Sequence, residues 1–216
     1  GSMSFDIDGA FACGYNVMRM HVKDNEPLWY DYCDETGMLV WDEHPLNFYA
    51  KSDNPVWQGM YFRKLKQMAK KHWYHPSIII YSTFNESWGI EGWHERSPWE
   101  DQVGINFIKN AVDIYKKEAP PVLVIDNSGY GKTSKTDIVD HHCYPIGYED
   151  SRTFWEKLIK YNYKGSTFNF YNKKNRVFMQ NQEARELLQR NCKQPLHKLQ
   201  YIGDEVYSGQ PLIVSE

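Results

Sequence analysis

Six times along this chain a short apolar run, rich in β-branched residues, ends in charged or amide side chains, and most of these runs are separated by amphipathic segments. The stretch HPSIIIYSTFNESWG (residues 75–89) is the clearest case. Ile78–Ile80 lead through Tyr81 and Thr83 into Asn85 and Glu86, and Trp88–Gly89 then open a loop. Comparable runs at 17–22, 38–43, 77–84, 121–126, 137–144 and 211–216 read as strands. Apolar strands alternating with helices imply a parallel sheet joined by right-handed crossovers.

The helices carry their own punctuation. PLWYDYCDETG (27–37) opens on proline and closes on glycine, the usual start and stop. VWQGMYFRKLKQMAKKHW (56–73) and EDQVGINFIKNAVDIYKKEAP (100–120) place apolar residues at helical spacing, with lysines on the other face. DIDGAFACGYN reads as a further short helix. A doubly wound sheet and a β/α barrel both satisfy this alternation.

The strand ends decide between them. Arg19 and His21, Asp42 and Glu43, Asn85 and Glu86, Asp126 and Asn127, His142 and Tyr144, and finally Glu216 all collect at C-terminal ends. A barrel gathers such ends around one mouth, where active sites lie. The expected fold is therefore an α/β chain of the (β/α)8 TIM-barrel type. Six strands are legible where a barrel has eight, so the barrel reads as truncated. Residues 1–3 read as a cloning remnant, and 4–216 as a single partial barrel domain with a long insertion around 146–210. Two open edges would favour pairing between copies, so a homo-oligomer is expected.

Net charge is −3 with no basic patch, which speaks against a nucleic-acid partner. No apolar run approaches the ~20 residues of a membrane span. Cys13, Cys33, Cys143 and Cys192 form no C-x-x-C pair and are expected to be unpaired thiols. The 16 Tyr, 10 Phe and 8 Trp suit either a core or stacking platforms for sugar faces.

Glu86 and Glu216 each end an apolar strand. Two carboxyl groups facing across a mouth, one protonated and one ionised, are what cleavage of a glycosidic bond requires. A gap of roughly 5 Å favours a covalent intermediate and retention, and ~6.5–9.5 Å favours inversion. GYGKT (129–133) follows a strand but lacks the first glycine of a phosphate loop, Asp126 standing there. Asp140-His141-His142 is a possible metal cluster without a partner motif.

GYNVMRMHVK, WYDYCDETGMLVWDEHP, HPSIIIYSTFNESWG and PLIVSE, in this order, resemble glycoside hydrolase family 2, the β-galactosidase, β-glucuronidase and β-mannosidase group. The resemblance implies a retaining β-glycosidase, most simply of the β-galactosidase type, with the first barrel strand expected before Phe5 and the last after Glu216. In it Glu86 is the acid/base and Glu216 the nucleophile, while Asn85 holds the sugar's 2-hydroxyl. Arg19 and Tyr144 flank the nucleophile. His21, one residue closer to the arginine than in many members, joins Asp42, Glu43, His142 and Trp88 as candidate substrate-binding residues. No cofactor is required, and a structural divalent cation is compatible with the chemistry. With Glu216 terminal, this piece alone is expected to be inactive or nearly so. Two alternatives stay open: a non-catalytic carbohydrate-binding relic of the barrel, and a metal-dependent barrel hydrolase.

Overall fold

Pro27 opens one helix and Gly37 closes it in the left-handed conformation (φ 79°), its amide returning to the Cys33 carbonyl. Asn54 caps the next, its Oδ1 accepting from the amides of Val56 and Trp57 at 3.0 and 3.2 Å. The Pro27 and Gly37 signals act as the sequence predicts; the Asn54 cap is an addition from the structure. The computed structural model describes residues 2–45, 53–86, 90, 102–120, 122–129, 131–142, 152 and 210–215. In chain order it contains α1 (Ser2–Ala12), β1 (Val17–Met20), α2 (Pro27–Thr36), β2 (Leu39–Glu43), α3 (Pro55–His72), β3 (Ile78–Asn85), α4 (Gln102–Glu118), β4 (Leu123–Ser128), β5 (Val139–His141) and β6 (Leu212–Val214). No described helix is long and apolar enough to cross a membrane.

β1 to β4 form one parallel sheet in sequence order, and β5 pairs parallel with β6. The Asp137 amide donates to the Val124 carbonyl at 2.9 Å, which ties the approach to β5 onto β4. Trp41, Ile80, Ile125 and Ile138 bury one small cluster, and Ile213 of β6 packs against it. Side chains from β2, β3, β4 and β6 thus converge on a common interior. This is the layered filling of a TIM-type barrel.

The larger core lies between the sheet and the helices. Tyr61 stacks on Phe84 with centroids 5.0 Å apart, and Tyr81 stacks on Tyr115 at 4.6 Å. Most of the abundant aromatic residues among those described therefore serve packing. Trp88, a candidate substrate-binding residue, lies outside the described residues, as does nearly all of the 146–210 insertion.

Strand limits shift by one or two residues from the sequence reading. β4 runs 123–128 instead of 121–126, because Pro121 has no amide to give the ladder and the register with β3 carries pairing on to Asn85 and Ser128. β1 stops at Met20, before a positive φ of 51° at Val22. Val40 pairs with Ile78 but Trp41 with Ile80, so Ile79 is an extra residue that bulges β3. α1 begins at Ser2 and so includes two residues of the presumed remnant.

Candidate active site

Strand alternation sorts the polar ends before any contact is considered. On β2, Val40 and Asp42 point to the helices while Trp41 and Glu43 point inward. Glu43 is fully buried, and its Oε2 receives Arg19 Nε at 2.9 Å and Nη2 at 2.8 Å. The guanidinium carbon of Arg19 lies 4.5 Å from the centroid of the Trp41 ring, a cation–π contact.

Arg19 is the hub of the mouth. Besides Glu43, its Nη2 donates to Asn85 Oδ1 at 2.8 Å and its Nη1 to the Ser215 carbonyl at 3.3 Å. One cation thus reaches from β1 to the ends of β2, β3 and β6. Arginine only donates, so the Asn85 oxygen is fixed toward it and the amide nitrogen faces the other way. His21, half exposed, lies at the rim with Nδ1 3.7 Å from Glu43 Oε2.

Glu86 follows Asn85 with φ 50°, an uncommon conformation for a residue with a Cβ. Its amide donates to the Ser128 carbonyl at 2.9 Å, so the turn is held by β4. Its carboxyl group is 20% exposed, and Oε1 lies 2.8 Å from His142 Nδ1. His142 is fully buried, and its Nε2 lies 3.0 Å from Ser128 Oγ. Ser128 Oγ in turn donates to Asp140 Oδ2 at 2.6 Å.

Asp140 is the buried anchor of this side. Its Oδ2 also accepts from Ser215 Oγ at 2.7 Å and from the Gly129 amide at 3.0 Å, and Lys132 Nζ bonds its Oδ1. Burial alone would raise the Asp140 pKa, but the Lys132 charge and the bonds from Lys132, Ser128 and Ser215 overcome it and hold it at about 2. The Asp140 oxygens that a metal cluster at 140–142 would use are thus engaged by protein donors. Lys132, read only as part of a failed phosphate loop, is the charge partner of Asp140. Nothing local signals this pairing, because it depends on β5 running beside the residues around Lys132.

Asp42 belongs elsewhere. It is fully buried on the helix side, where its carboxylate meets Tyr30 Oη at 2.8 Å and His72 Nδ1 at 2.7 Å. Burial raises its pKa against the pull of His72 and Tyr30. Its candidacy as a substrate ligand is corrected on this ground: the pleat turns it away from Arg19 and into the core. Glu216, Tyr144 and Trp88 lie outside the described residues, so the carboxylate gap is not defined. At the opposite end of the sheet, Asp31, Asp34 and His75 bring one potential ligand atom each within 4.8 Å of one another. His75 Nδ1 meets Asp34 there at 2.6 Å.

Residues 2–201 match the model of a family described as glycosyl hydrolases family 2, TIM barrel domain. A β-galactosidase of Vibrio cholerae is 30% identical over 145 residues, covering 64% of this chain and 13% of that protein. One from Alteromonas mediterranea is 37% identical over 78 residues, 33% of this chain and 8% of that protein. The chain thus spans about an eighth or less of these relatives. Among solved structures, a Bacteroides uniformis β-glucuronidase superposes with TM-score 0.60 at 19% identity, covering 74% of this chain and 21% of that one. A β-galacturonidase of Eisenbergiella tayi bound to galacturonate gives 0.56 at 22% identity, with 74% and 29% covered. At these identities the structures speak for the fold.

Proposed function

The chain belongs to glycosyl hydrolase family 2, and on that basis we propose that it supplies most of the catalytic mouth of a retaining β-glycosidase. The observation that carries this reading is the sharing of Arg19 by Glu43, Asn85 and the Ser215 carbonyl. It brings the Asn85-Glu86 pair and the residue before Glu216 around a single cation.

In this reading the sugar lies over the Arg19 end of the barrel, with the Asn85 amide nitrogen toward its 2-hydroxyl. Glu86 gives its proton to the glycosidic oxygen as the bond to the anomeric carbon breaks, and ionised Glu216 attacks that carbon. Water then attacks the glycosyl–Glu216 ester, giving its proton to Glu86 and freeing the sugar with its configuration retained. Arg19 favours the ionised nucleophile through the strand that bears it. The names of the sequence relatives favour a β-galactoside as substrate, and the structural neighbours keep β-linked uronic acids in the comparison.

The test is a panel of nitrophenyl α- and β-glycosides, uronides included, on a version extended through all eight strands, beside Glu86→Gln. Cleavage of a β-glycoside with retained configuration by NMR, lost in the variant, is the expected result. Silence across the panel from a folded barrel would overturn it in favour of a binding relic.

A further inference from the structure

Three hydrogen bonds in series fix the proton count at the proposed acid/base. Asp140 is ionised, so Ser128 Oγ must spend its one hydrogen on Asp140 Oδ2. The lone pairs of that oxygen then face His142 Nε2 at 3.0 Å, which requires Nε2 to carry a hydrogen. His142 Nδ1 is left facing Glu86 Oε1 at 2.8 Å. Two bare lone pairs would repel at that distance, so one proton occupies the line between them, as carboxylic acid to imidazole or as imidazolium to carboxylate.

We propose that His142 is the positioning residue of Glu86. It is locked by Ser128 and Asp140 in the Nε2–H form, and it engages Oε1 through a shared proton so that Oε2 is the oxygen that exchanges protons with sugar and water. This rests on the reading of Glu86 as acid/base. Catalytic proton transfer at Oε2 then balances by itself: one proton leaves to the glycosidic oxygen and one returns from water, while the Oε1–Nδ1 proton stays.

The surroundings are built for this. A Cβ on Gly129, whose φ is 73°, would collide with the His142 imidazole, so the ring lies flush on bare backbone and cannot be moved by small adjustments. Among the described residues, the charged groups around it are Glu86, just after β3, and Asp140, whose Oδ2 is 4.0 Å from Nε2, with its partner Lys132. Arg19 reaches the same strand end through Asn85.

The test is imidazole ¹⁵N NMR of the labelled protein across pH, with the His142 signals assigned by their loss in His142→Gln. The expected spectrum shows Nε2 carrying a hydrogen and Nδ1 in a strong hydrogen bond to Glu86. Glu86→Gln, which keeps the shape but removes the anion, should move the Nδ1 resonance while leaving Nε2–H in place. Ser128→Ala should release the tautomer and let Nδ1–H appear. A wild-type Nδ1–H tautomer, or an Nδ1 resonance unchanged in Glu86→Gln, would overturn the proposal. None of these readouts needs turnover, so they stand or fall separately from the glycosidase reading. In an active barrel, His142→Gln should lower kcat by up to about 100-fold with KM little changed and the pH profile displaced. An unaltered profile and rate would refute the positioning role.

Discussion

Replacing Lys132 with methionine keeps much of its volume and deletes its charge. The Lys132 side chain is 2% exposed and that of Asp140 is fully buried, so the variant leaves a carboxylate in the interior without its cation. Removing one partner of such a pair costs about 3–5 kcal/mol. The pH dependence gives a second, independent number. The Asp140 pKa is held at about 2 in the fold, against ~3.9 unfolded, and the difference corresponds to roughly 2.5 kcal/mol of stability. Because the folded value is the lower one, that stability is complete above pH ~4 and disappears as pH falls toward ~2. Without Lys132 the burial penalty prevails and the folded value rises above the unfolded one. The sign then reverses: the Asp140 contribution improves as acid neutralises the carboxylate. Urea unfolding of wild type, Lys132→Met and Lys132→Met/Asp140→Asn between pH 2.5 and 7 measures this. The single variant should lose at least ~3 kcal/mol at pH 7, with the gap to wild type narrowing in acid and the double variant recovering part of the loss. A loss below ~1 kcal/mol, the range of an exposed pair, with an unchanged acid profile would refute the reasoning.

Three further outcomes are expected. Burial lowers the His44 pKa to about 4, so stability should be intact above pH ~6.5 and fall by about 3 kcal/mol on acidification to pH 4; His44→Gln should flatten that limb in urea melts. Asp42→Ala should destabilise by about 3–5 kcal/mol by stranding His72 and Tyr30, yet leave KM per folded molecule unchanged, whereas a raised KM would restore Asp42 to the mouth. Val22 sits at φ 51°, and Val22→Asn should melt higher than Val22→Ala by the equivalent of about 1 kcal/mol, a difference read directly by calorimetry.

The framework was legible because each strand announces itself locally. Ile78–Ile80, Leu39–Trp41 and the polar ends of successive strands carry barrel and mouth together. Arg19, Asn85 and Glu86 could be grouped from strand ends alone. The partition of Asp42 from Glu43 was also latent, since inward Trp41 and period-two alternation put Glu43 on the same face. What hid it is that Asp42's partner, His72, lies 30 residues on, at the far end of a helix whose face is set by packing. The Ser128–Asp140–Lys132 cluster was less legible still. Its members come from a strand, the connection after it and another strand, and each alone looks like ordinary loop polarity. The bulge at Ile79 left no mark, because any of three consecutive isoleucines could carry it.

The bond from Arg19 to the Ser215 carbonyl spans 196 positions of chain. Contacts of such separation repay their loop-closure entropy only after nearer ones have formed. During synthesis Arg19 emerges early and waits for almost everything else in this chain before its last acceptor exists. Until then its charge can be met by Glu43 and Asn85, whose strands adjoin its own in sequence order. The half-mouth of β1, β2 and β3 is thus a natural early folding unit, and the arrival of Ser215 is a late event. Formation of the Arg19–Ser215 contact would then report the docking of β6 rather than mere collapse, separating these two stages in time along a refolding trace.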